Sequence, residues 1–73
     1  MYPTKFHEKL KQARLEAGYT QQQVATFLHI GRSTLANYEM GRIEPNLETL
    51  ARLADFYCVS VDWLLGTKGE NKK

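Results

Sequence analysis

Glycines and side-chain caps cut this chain into short stretches, and that punctuation limits what its 73 residues can fold into. Gly18, Gly31, Gly41 and Gly66 stand at breaks, whereas Thr20, Asn46 and Ser60 stand at starts. Glycine ends helices because it enters the left-handed backbone region without a steric penalty. The oxygens of Thr, Asn and Ser start helices by accepting from the free amides of a first turn. Between these marks apolar residues recur at helical spacing, and no stretch alternates as a strand does. The pattern predicts an all-α fold: a compact five-helix domain over residues 1–66.

Thr4 opens the first helix, near residues 5–17, where Phe6, Leu10, Ala13 and Ala17 fall within about 60° on a helical wheel. Arg14 lies on the flank of that stripe, and Leu15 points away from it. Thr20 and Gln23 form a capping-box pattern at the head of the second helix, near residues 21–28. Val24, Ala25 and Leu28 share one side of it; Gln22 and Thr26 share the other. After His29, Ile30 and Gly31 comes a third helix, near residues 32–40, with Leu35, Tyr38 and Glu39 on its inner side. Arg32, Ser33, Ala36 and Asn37 gather opposite them. Pro45 and Asn46 open the fourth helix, near residues 47–57, whose Leu47, Leu50, Leu53, Ala54 and Tyr57 form a broad core stripe, with Phe56 off it. Ser60 caps a short fifth helix, VDWLL, that Gly66 ends.

Several function classes drop out on composition and spacing. No apolar run approaches the roughly 18 to 20 residues that span a bilayer, and MYPTKFHEKL lacks the apolar stretch of a signal peptide, so a cytoplasmic protein is expected. Cys58 is the one cysteine, which excludes an internal disulfide and points to a buried, reduced thiol. His7, His29 and Cys58 are too scattered for metal-ligand spacing, and no metal or other cofactor is expected. A Gly-rich phosphate loop, an activated nucleophile and a paired-carboxylate arrangement are all missing from the sequence, which argues against an enzyme. The polar end TKGENKK, residues 67–73, is expected to be disordered. A net charge of +2 and a pI near 8.8 permit a polyanionic partner without demanding one.

The middle of the chain is more specific. Two helices joined by a three-residue turn, the second with a polar outer face, form a helix-turn-helix, whose second helix is the one offered to the major groove of DNA. Arginine donates twice to guanine, asparagine pairs with both polar groups of adenine, and Ser or Thr can meet either base. Arg32, Ser33 and Asn37 make one such set, and the small Ala36 between them allows a close approach. A face that only met solvent would more often carry Glu and Lys than these weaker helix formers.

The stretch TQQQVATFLHIGRSTLANYEMGRIEP resembles the core of the lambda Cro and C1 repressor family, also called the Xre family. VSVDWLLG resembles the last helix of phage 434-type repressors, and together the likeness covers about residues 6–66. It implies a lambda repressor-like domain, bacterial or phage-encoded, that binds a palindromic operator as a homodimer and usually represses transcription. By position, Gln21 would bond a phosphate and brace the first recognition residue; Arg32, Ser33, Thr34 and Asn37 would face bases or neighbouring phosphates. The loop around Arg42, with amides near Gly41, would grip the flanking backbone. Helix N-termini suit such phosphate contacts, and Gln21 and Arg32 both sit at one. Arg14 and Glu39 would form a structural ion pair between the first and third helices. Phe56, Val61 and Trp63 crowd the region of the implied dimer contact, most of it core, with one or two residues left for a partner. Two positions depart from the family's habit: His29 stands where glycine is common in the turn, and Gly31 where Ser or Thr often caps. The rival reading is a protein-interaction module of the same fold, such as an antitoxin, with DNA secondary.

Overall fold

The computed structural model describes residues 6–66, which form α1 (Phe6–Ala17), α2 (Gln21–Leu28), α3 (Arg32–Met40), α4 (Leu47–Tyr57) and α5 (Val61–Leu65). The expected all-α, five-helix architecture is the one observed, with no strand among the described residues. The Thr4 cap and the polar end at 67–73 lie outside the described residues.

Local chemistry sets the boundaries. Thr20 Oγ1 accepts from the Gln23 amide at 3.1 Å while Gln23 Oε1 accepts from the Thr20 amide at 2.9 Å, completing the capping box. Asn46 Oδ1 accepts from the Thr49 amide at 2.8 Å, and Ser60 Oγ from the Trp63 amide at 2.9 Å. At the other ends the backbone turns left-handed, at Gly41 (φ 78°) and Gly66 (φ 75°), but also at His29 and Cys58, both with φ 59°. A side chain in that region costs about 1 kcal/mol or more. Cys58 is consequently a helix terminator rather than a core residue: it is exposed, against the expectation of a buried thiol. The end of a helix must face solvent or a cap, and that takes the residue holding it out of the interior.

Leu10, Val24, Leu35, Leu53 and Leu64 are fully closed to solvent and belong with Trp63 to one buried apolar cluster. α1 runs through the middle of the assembly, packing on α3, α4 and α5, while α2 packs on α3. Two residues assigned to the core by their wheel angle are outside it: Leu47 is 80% exposed and Ala17 is exposed. Both occupy a terminal turn, and a wheel reports angle, not height along the axis. Leu15 is exposed, as its wheel angle requires. From α4, Arg52 Nη2 donates to the carbonyl of Leu28 at 2.8 Å and so ties α4 to the end of α2. No helix among the described residues is long and apolar enough to cross a membrane.

A candidate nucleic-acid interface on α3

α2 and α3 are joined by a tight turn. The Ile30 amide donates to Ala25 O at 3.0 Å and the His29 amide to Thr26 O at 3.3 Å, which closes α2 over the left-handed His29. Ile30 folds back against the core. Gly31, extended at φ −71° and ψ 147°, is the N-cap of α3 and offers no side-chain oxygen. The first-turn amides of α3 therefore point outward without a side-chain acceptor, beside the partial positive charge of the helix end.

α3 is split lengthwise. Leu35, Tyr38 and Glu39 are buried, whereas Arg32 and Ser33 are exposed and Thr34, Ala36 and Asn37 half-buried. The fold thus brings Arg32, Ser33, Thr34 and Asn37 onto one accessible helix, and Arg42 is exposed in the turn that follows it. The amides beside Arg42 have internal partners: Gly41 N donates to Tyr38 O at 3.2 Å and Arg42 N to Asn37 O at 3.0 Å. These two amides are taken up in closing the end of α3, which leaves the exposed Arg42 side chain as the polar group that this turn offers outward. Gly41 itself is favoured by its φ of 78°, and an added Cβ would also lie 3.2 Å from the His7 imidazole, which would have to shift slightly.

Behind that surface lies the Arg14–Glu39 pair. Arg14 Nε donates to Glu39 Oε2 at 2.8 Å and Nη2 to Oε1 at 3.1 Å, with the two residues only 7% and 6% exposed. The third guanidinium nitrogen, Nη1, donates to Tyr19 O at 2.9 Å. Its hydrogen bonding to Glu39 raises the pKa of Arg14 further, against the opposing effect of burial. Nearby, burial pushes the Tyr57 phenol well above its ordinary value, and the negative Glu39 adds to the effect. The Tyr57 hydroxyl is buried with no hydrogen-bond partner among the described residues.

Gln21 joins this pair to the surface. Its Nε2 donates to Glu39 Oε1 at 3.0 Å, and its Oε1 accepts from Arg32 Nη1 at 3.4 Å. The contact between Gln21 and Arg32 joins two residues that the resemblance also links, while the bond to Glu39 was not expected from the sequence. No spacing signal announces it, because residues 18 apart on different helices meet only through the tertiary fold.

Of the three candidate dimer residues, Trp63 is 1% exposed and lies in the core, with Lys9 Nζ 4.7 Å from its ring centroid. Trp63 is thereby excluded as a surface contact; Phe56 and Val61 remain half-buried at the surface. Phe56 also packs in tilted ring contacts on Tyr19, at 5.1 Å between centroids, and on Phe27, at 5.6 Å, which is 61% exposed. Phe27 escaped notice in the sequence although its place off the Val24, Ala25 and Leu28 side of α2 marked it as an apolar residue outside the core stripe.

A family model described as helix-turn-helix matches residues 10–64. Among curated proteins, the chain is 46% identical over 66 residues to the HTH-type transcriptional regulator ImmR of Bacillus subtilis, covering 90% of this chain and 52% of that protein. It is 35% identical over 66 residues to the cryptic phage CTXphi transcriptional repressor RstR of Vibrio cholerae, covering 90% and 60%. With the HTH-type transcriptional activator BcrR of Enterococcus faecalis it shares 38% identity over 60 residues, covering 82% and 29%. The chain spans about half the length of the first two curated relatives it matches, 52% and 56%.

Proposed function

This chain belongs to the Cro/C1-type helix-turn-helix family of transcriptional regulators, and from that premise we propose that it is a sequence-specific double-stranded DNA-binding repressor. The observation that carries the reading is the division of α3: Leu35 and Tyr38 anchor its back, and Arg32, Ser33, Thr34 and Asn37 stay accessible in front. Arg32 and Asn37 discriminate bases, because fork and amide groups match the major-groove edges of guanine and adenine. Gln21 and Arg42 hold phosphates, which sets register without selecting sequence.

One such module covers a modest area, roughly 600 to 1,000 Å² of protein surface. Two copies paired through Phe56 and Val61 would read a palindromic operator in the cytoplasm, with their α3 helices about 34 Å apart on successive major-groove turns. An operator overlapping a promoter then blocks polymerase. The Vibrio cholerae relative is named a repressor and the Enterococcus faecalis relative an activator, and the proposed sign rests on the operator overlapping its promoter.

Binding-site selection from random duplexes, followed by titration of the selected duplex at two salt concentrations, tests the reading. A two-fold symmetric site whose binding weakens steeply with salt is expected, since each phosphate contact releases counterions. Absence of sequence enrichment, or binding to DNA that ignores salt, overturns it in favour of a protein-interaction module.

A further inference from the structure

Glu39 is closed to solvent and cannot touch DNA, yet it makes one bond more than its ion pair with Arg14 requires. Oε1 receives two donors, Arg14 Nη2 at 3.1 Å and Gln21 Nε2 at 3.0 Å. A carboxylate only accepts. It therefore compels Gln21 to turn its NH2 inward, and this sends the amide oxygen of Gln21 outward, where it meets Arg32 Nη1 at 3.4 Å. The amide could otherwise occupy either of two orientations of nearly equal shape, of which one offers Arg32 an acceptor and the other a repelling donor.

We propose that Glu39 is a specificity-positioning residue: its charge sets the polarity of the Gln21 amide and thereby aims Arg32 at its base. The proposal rests on the reading of α3 as the DNA-contacting helix. Arg14 completes the device from the other side. Its Nε bond to Oε2 is the shorter one at 2.8 Å, and its Nη1 is held by Tyr19 O, so the guanidinium has no freedom to follow a change at Glu39.

Glu39→Gln separates charge from shape. The new amide has one oxygen for three donors. With the oxygen at the Oε1 place its NH2 opposes Arg14 Nε, and with the oxygen held at the Oε2 place by the shorter Nε contact its NH2 opposes both Arg14 Nη2 and Gln21. In the second arrangement donor meets donor at Gln21. Gln21 turns over, presents its NH2 to Arg32, and the arginine leaves its pose. Adding Gln21→Glu reverses the effect: a carboxylate at position 21 accepts from the new amide and from Arg32 at once, with the total charge of the four side chains unchanged.

The test compares affinities for the duplex selected by the wild-type protein and for duplexes altered at each position in turn; Arg32→Ala identifies the position that Arg32 reads. Glu39→Gln is expected to lower the preference at that position by about fivefold or more, the low end of what one bidentate arginine contact is worth, while other positions keep their preferences. The double exchange Q21E/E39Q is expected to restore it, with weaker binding to every duplex because position 21 then carries a negative charge beside the phosphates. If circular dichroism shows Glu39→Gln unfolded, Gln21→Met, which leaves the ion pair in place, is expected to give the same position-specific loss.

A folded Glu39→Gln or Gln21→Met that keeps full preference at that position overturns the proposal. So does an equal loss at all positions, or a double exchange that restores nothing, because both assign the effect to a loosened ion pair. A wild-type protein that selects no sequence overturns the DNA reading and this proposal with it, whereas selection without the Glu39 effect overturns this proposal alone.

Discussion

Arg14 and Glu39 face each other across the packed boundary of α1 and α3, joined by two hydrogen bonds, at 2.8 and 3.1 Å. A buried pair of this kind contributes little net stability over an apolar replacement, but removing one member leaves an uncompensated charge in the interior. It holds α3 at a fixed angle to the rest of the domain.

Glu39→Ala is accordingly expected to destabilise the domain by about 3 to 5 kcal/mol, the cost of stranding a buried charge. Against a total of about 5 to 15 kcal/mol for a folded domain, that is a large fraction. Thermal unfolding followed by circular dichroism reads it directly, and an unchanged Tm would contradict the assigned role.

Tyr57→Phe should be neutral or stabilising, since it removes a buried hydroxyl that has no partner among the described residues. The variant also carries a pH signature. The folded-state pKa of Tyr57 is raised above 10.0, so its contribution is complete below about pH 10 and is lost as pH rises toward the folded value. Chemical denaturation of both proteins between pH 7 and 11 is expected to show a smaller alkaline loss for Tyr57→Phe; parallel curves would refute the assignment.

Two arginines should fail differently. Arg32→Ala is expected to cost about 1 to 3 kcal/mol on the preferred duplex and to relax one base position, whereas Arg42→Ala weakens all duplexes alike and lowers the salt slope by about 1. Fluorescence anisotropy over a salt series separates the two, and identical behaviour would mean that the reading and gripping roles are misassigned.

Glycines on either side of α3 give opposite expectations. Gly31→Ser adds a capping oxygen where a Cβ meets nothing closer than 3.5 Å, and should raise stability by a few tenths of a kcal/mol. Gly41→Ala places a Cβ on left-handed backbone and 3.2 Å from His7, and should lower it by about 1 kcal/mol or more. Equal Tm values for the two variants would count against both.

Much of the fold was legible because helix ends are written in side chains that act on their own neighbours. Thr20, Gln23, Asn46 and Ser60 cap within three residues, and the helix bounds follow from them. The lengthwise split of α3 was legible for the same reason, as a local periodicity. What escaped depends on height or on encounter. Leu47 and Ala17 have core angles at helix ends that no described residue covers; Cys58 takes a backbone conformation that its chemistry does not announce; the Gln21–Glu39 bond joins distant segments. Trp63 illustrates a third limit, since size and apolarity suit an interior and an interface equally well, and only packing decides between them.

The placement of Cys58 has a practical side. A solitary thiol on an exposed helix end accepts a maleimide dye at one defined point, far in sequence from α3 and between Phe56 and Val61. A fluorophore attached there would report on that surface through its surroundings, and it would leave α3 chemically untouched.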